Sequence, residues 1–130
     1  MLSLLLWFHL LLAPAYAAPS FPEVAQQIGL SSQQQTVVQE IIYRSDLARV
    51  EIRARRDRAE LQLRQLLSAE TLDENAVHAA LAELNAAETD LRNNRVELVI
   101  ALRKNLSPTQ WEALRTLWLE AKPPPPPPHP

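Results

Sequence analysis

From Leu30 to Ala121 the chain contains no glycine and one proline, Pro108. Glycine and proline end helices most readily, the first through backbone freedom and the second through its missing N–H. So long a stretch without them, filled with Ala, Leu, Arg, Glu and Gln, predicts an all-α fold. The one glycine, Gly29, stands directly before it, and the other prolines gather near the two ends. Cysteine is absent, so no disulfide framework substitutes for helix packing.

Two short echoes mark where the helices begin. "LSSQQ" at Leu30–Gln34 and "LSPTQW" at Leu106–Trp111 both read Leu-Ser-x-x-Gln. In each, the serine (Ser31, Ser107) fits an N-cap that accepts from the N3 backbone N–H. The glutamine (Gln34, Gln110) then reaches back from N3 to the serine N–H. Pro108 falls at N1, where its missing N–H costs nothing. Leu106 and Trp111 stand at N′ and N4, the spacing of a hydrophobic staple. The reading is a first long helix from about Ser32 to Leu67, a connector "SAETLD", and a second from about Glu74 to Asn105 capped by Asp73. A short third helix runs from Pro108 to about Ala121. At 1.5 Å per residue the first is about 50 Å long, which implies coiled-coil-like packing.

Apolar spacing pairs the long helices. Val77, Leu84, Leu91 and Leu98 recur every seven residues, with Ala80, Ala87 and Ala101 beside them. Val38, Ile52, Ala59 and Leu66 answer from the first helix, flanked by Ile41, Ile42 and Leu63, so the two should fold back as an antiparallel hairpin. A second stripe, Leu47, Val50, Ala54 and Leu61, lies roughly opposite Ile52 at 100° per residue. A hairpin buries one such face, which leads to the expectation of a homodimer. The alternative is a C-terminal helix folded over the stripe, with Trp111, Leu114, Leu117 and Trp118 as cover.

The ends read differently. Residues 1–22 carry no charged side chain. An apolar run from Leu2 to Ala13, then Pro14 and the small-x-small triplet Ala15-Tyr16-Ala17, reads as a cleaved signal peptide over residues 1–18. About 12 apolar residues fall short of the roughly 20 needed to span a bilayer, so no stable membrane insertion is expected. Residues 19–30 read as a linker, 31–121 as the helical domain, and 122–130, "KPPPPPPHP", as a polyproline II tail.

Charge is slight overall but uneven. Seven arginines between Arg44 and Arg64 face Asp46, Glu51, Asp57 and Glu60, while the second long helix is acidic. Part of this is a solvated surface with pairs such as Glu51–Arg55, Glu60–Arg64 and Glu88–Arg92. Arg49, Arg53 and Arg56, with Ile52 nearby, cluster on one side of the first helix and are candidates for contact with other polypeptides. Arginine suits that task because its stem packs on apolar surface while its guanidinium forks onto carboxylates. The net charge of −2, with no aromatics among the arginines, argues against nucleic acid. No phosphate loop, cysteine nucleophile or Ser/His/Asp set offers a foothold for catalysis. His78 is the one histidine on a helix, and Leu81 and Ala82 occupy the i+3 and i+4 places where a second metal ligand would stand.

The two Leu-Ser-x-x-Gln motifs around a long hairpin, with the arginine-rich stretch "RRDRAELQLRQLL", resemble the LTxxQ-motif periplasmic proteins, the Spy- and CpxP-like group and the heavy-metal-resistance sensors related to CnrX and ZraP. Serine replaces the usual threonine in both motifs, a change that keeps the cap. The resemblance implies a helical hairpin, often an antiparallel dimer, located in the periplasm. It also implies binding of unfolded envelope proteins without ATP, inhibition of a membrane stress regulator through its outer domain, or sensing of a divalent transition metal. The metal-sensing members use clustered His, Met or Cys ligands, and here only His78 lies on a helix, so no cofactor is expected.

Overall fold

The computed structural model describes residues 20–119. The signal-peptide and tail readings fall outside these residues. Four α-helices follow one another, α1 (Phe21–Gln27), α2 (Ser32–Leu67), α3 (Glu74–Asn105) and α4 (Pro108–Leu114), the last passing into a π-helical turn, Arg115–Leu119. There is no strand among the described residues. The hairpin is α2 against α3, with the bounds the sequence predicts.

Two elements differ from the sequence reading. The stretch expected to be a linker up to residue 30 carries α1, whose ends are both written in local chemistry. The Ser20 N–H donates to the Glu23 carboxylate at 2.9 Å, and Pro22 sits in the first turn, where its lack of an N–H does no harm. At the other end Gly29, at φ 72°, closes the helix. Gly29 N–H donates to Gln26 O (3.3 Å) and Leu30 N–H to Ala25 O (3.0 Å), a Schellman close that needs the left-handed residue glycine supplies. The C-terminal helix differs in kind, with α-helical bonding yielding at Arg115 to a π turn that runs to Leu119, the last described residue.

Packing is concentrated at the open end of the hairpin. Val24, Ala25, Leu30, Val38, Leu102, Leu106 and Leu114 form one buried cluster, with Phe21, Ile28, Ile41, Ile42, Leu98, Trp111 and Trp118 packed against it. The Phe21 and Trp118 rings meet at 5.7 Å between centroids, tilted by 58°. Thus α1 and α4 with its π turn form a cap over the open end of the hairpin. Along the rest of the hairpin the fully sheltered residues are Ala59, Ala80 and Ala87, whose small side chains let the helices approach closely. That arm is a two-helix rod with little core of its own.

The two motifs meet inside the cap. Ser31 Oγ accepts from Gln34 N–H and Ser107 Oγ from Gln110 N–H, both at 3.1 Å. Gln34 Oε1 and Gln110 Oε1 return the bond to their serine N–H groups, both at 3.0 Å. The two glutamine amides then pair reciprocally, Nε2 to Oε1, at 2.9 and 3.2 Å. Gln34 Nε2 also donates to Asn105 O (3.2 Å), and Gln110 Nε2 to Gly29 O (3.1 Å). Each glutamine therefore caps its own helix and holds the carbonyl just ahead of the other motif. This crossed arrangement is the physical reason the motif is written twice.

Trp111, Leu114 and Trp118 are committed to the cap, and the second stripe on α2 stays uncovered: Leu47, Val50 and Leu61 are each at least half exposed.

Candidate functional site

The α2–α3 seam is interrupted once by polar residues. Ser45 continues the heptad line of Val38, Ile52, Ala59 and Leu66, and Asn94 continues that of Ala80, Ala87 and Ala101. The two face each other. Asn94 Nδ2 donates to Ser45 O at 3.1 Å and to Ser45 Oγ at 3.2 Å, so the half-buried amide donor is satisfied across the seam. Both residues are small for such positions, and grooves open on either side of them.

The larger groove, about 700 Å³, is the candidate site. Its walls carry five arginines from three elements: Arg49, Arg53 and Arg56 from α2, Arg95 from α3, and Arg115 from the π turn. Leu91, Leu98 and Val99 supply apolar lining between them. The cations are held to different degrees. Arg49 pairs with Asp46 at 2.7 Å and Arg56 with Asp57 at 2.8 Å. The hydrogen bond to Asp57 also raises the Arg56 pKa above its usual value. Arg115 pairs with Glu112, and the bonds it donates hold the Glu112 carboxyl below the ordinary carboxylate range. Arg53 and Arg95 make no ion pair among the described residues. Like charges collected around an apolar strip repel one another. An incoming anionic group relieves that repulsion.

The sequence candidates divide on this geometry. Arg49, Arg53 and Arg56 line the groove together, whereas Ile52 is half-buried on the seam line and is not part of the lining. Arg95 and Arg115 were not foreseen, since each reaches the groove from another element. The opposite side of the hairpin differs in character: Arg55 bridges to Asp90 of α3 at 3.0 Å, not to Glu51 as expected. Arg92 donates to Thr89 and not to Glu88, while the expected Glu60–Arg64 pair forms at 3.1 Å.

His78 is exposed near the start of α3. Among the described residues no group of three or more His, Cys, Asp or Glu is placed to hold a metal ion. No described helix is long and apolar enough to cross a membrane.

Residues 5–113 match the protein family described as heavy-metal resistance. No curated protein and no solved structure matches the chain.

Proposed function

The chain belongs to the heavy-metal-resistance family, which includes the Spy-, CpxP- and CnrX-like LTxxQ proteins, and from that premise we propose a non-enzymatic, periplasmic stress-response protein that binds other polypeptides without ATP. Its clients are unfolded envelope proteins or the outer domain of a membrane stress regulator. The observation that carries this reading is the groove in which five arginines surround Leu91, Leu98 and Val99. An unfolded segment offers carboxylates and apolar side chains at irregular spacing. Guanidinium forks on flexible stems, interleaved with apolar surface, accept both without requiring one sequence.

The test is aggregation of a denatured client followed by light scattering, with the purified protein near stoichiometry and no nucleotide. Protection is expected. Arg53→Ala combined with Arg95→Ala should remove most of it while leaving the thermal midpoint nearly unchanged, because neither side chain has an ion-pair partner to lose. Equal protection by parent and variant would remove the groove from the reading.

The family description favours a second reading, a heavy-metal sensor that passes occupancy to a membrane-bound partner. Calorimetric titration with zinc, nickel, cobalt and copper separates the two: a micromolar or tighter site abolished by His78→Ala supports the sensor.

A further inference from the structure

The lining of the arginine groove has a repeat of its own. Asn94 bonds to Ser45 across the seam, which fixes the level of α3 against α2. Distances along the hairpin axis follow from that level at about 1.5 Å per residue. On the side away from the cap, Leu91 lies about 4.5 Å from it and Arg53 about 12 Å. On the cap side, Arg95 lies about 1.5 Å from it and Val99 about 7.5 Å. All four line the groove. In axial order it presents Arg53, Leu91, Arg95 and Val99, cation and apolar by turns, at steps of about 7.5, 6 and 6 Å.

That step is the same-face repeat of a β-strand. Every second side chain of an extended chain points the same way, about 6.6 Å after the last. An extended segment laid along the groove therefore meets these four residues with its alternate side chains and turns the others to water. We infer that the groove takes polypeptide in extended form and selects one pattern: acidic, spacer, apolar, spacer, acidic, spacer, apolar. This rests on the reading of the groove as a polypeptide site and names the segments it takes.

Two observations favour an extended occupant with paired acids. Arg53 and Arg95 make no ion pair among the described residues, whereas Arg49, Arg56 and Arg115 each have a carboxylate partner within the chain. The two cations without such a partner are the two that alternate with Leu91 and Val99. The second observation is Asn94, which borders the groove. Its Nδ2 donates both bonds to Ser45, and its Oδ1 accepts none among the described residues. An extended backbone has N–H groups to donate to that oxygen, while a helix has bonded its own internally.

Fluorescence anisotropy with short, unstructured, dye-labelled peptides tests the pattern on the full chain. The probe carries Glu-Ser-Leu-Ser-Glu-Ser-Leu between neutral flanks, and its control rearranges the same residues as Glu-Glu-Leu-Leu-Ser-Ser-Ser. The probe should bind about tenfold more tightly, because the control forfeits one charge-assisted contact. Arg53→Ala and Arg95→Ala should each weaken the probe by about the same factor. With one glutamate of the probe changed to glutamine, one of these variants should have no further effect while the other still does. Changing the other glutamate should exchange the two variants, an exchange that a general loss of structure does not produce. Equal binding of probe and control, or tighter binding of a stapled helical peptide with glutamates along one face, overturns the proposal. If a denatured client is still protected in that case, the polypeptide reading stands without the pattern. If neither peptides nor clients are bound, both fall.

Discussion

Replacing Gln34 and Gln110 by alanine, singly and together, tests whether the two motifs are separate helix caps or one device. Gln110 takes part in four hydrogen bonds between 2.9 and 3.2 Å, to the Ser107 N–H, to Gly29 O, and two in the reciprocal pair with Gln34. Gln34 has a matching set, with Ser31 N–H and Asn105 O as the other partners. Both side chains are half-buried, so about 0.5 kcal/mol per bond, the low end of the net range, is the appropriate scale. Each single variant then loses about 2 kcal/mol. The double variant loses about 3, not 4, because the amide pair is lost only once. The double-mutant cycle should therefore return a coupling of about 1 kcal/mol. For a domain of this size each single substitution lowers the melting temperature by roughly 10 °C.

The assay is urea denaturation followed by circular dichroism, with thermal melts alongside. Gln35→Ala is the comparator, since that neighbouring glutamine makes a single 3.4 Å bond to Leu30 O. It should cost under about 0.5 kcal/mol. A coupling within about 0.3 kcal/mol of zero would refute the crossed-pair account and leave two independent caps.

Two further outcomes follow from the same geometry. Gly29→Ala should cost about 1 kcal/mol purely through the left-handed backbone, since a Cβ there meets nothing within 4 Å; Gly29→Asn should recover part of it, and thermal melts that show no ordering among the three would contradict the Schellman close. Arg115 holds Glu112 below its ordinary pKa of 4.5, so the Glu112 contribution to stability is fully present above that value and is lost as pH falls through the lowered pKa; denaturation of parent and Glu112→Gln should differ at pH 7 and converge near pH 2, and a gap that widens in acid would reverse the assignment.

The hairpin was legible because its signals are local. Ser31, Asp73 and Ser107 name the starts, and the heptads from Val38 and Val77 name the faces. Helix α1 was equally local and was missed, because Pro19 and Pro22 suggest a linker. Ser20-x-x-Glu23 before an apolar pair and Gly29 after it already state a short helix, and Pro22 is compatible with its first turn. The groove was half legible for a different reason. Arg49, Arg53 and Arg56 share one face of one helix, which periodicity reveals. Arg95 and Arg115 arrive from α3 and the π turn, and no spacing within α2 predicts them.

A signal for the groove's position was nonetheless present in the sequence. Along α2 and α3 the heptad lines call for apolar residues at 45 and 94, and both positions are small and polar. A seam that substitutes a satisfied hydrogen bond for apolar bulk gives up packing at that level, as polar positions in coiled coils do in exchange for register. The arm holding this layer has only alanines as its fully sheltered residues, so apolar burial there is already thin. The grooves open where the packing is interrupted, and the arginines stand around the larger of them. The break in the heptad thus locates the groove more directly than the arginine count does, because the seven arginines are spread along α2 from Arg44 to Arg64 whereas positions 45 and 94 mark the one level at which the groove opens.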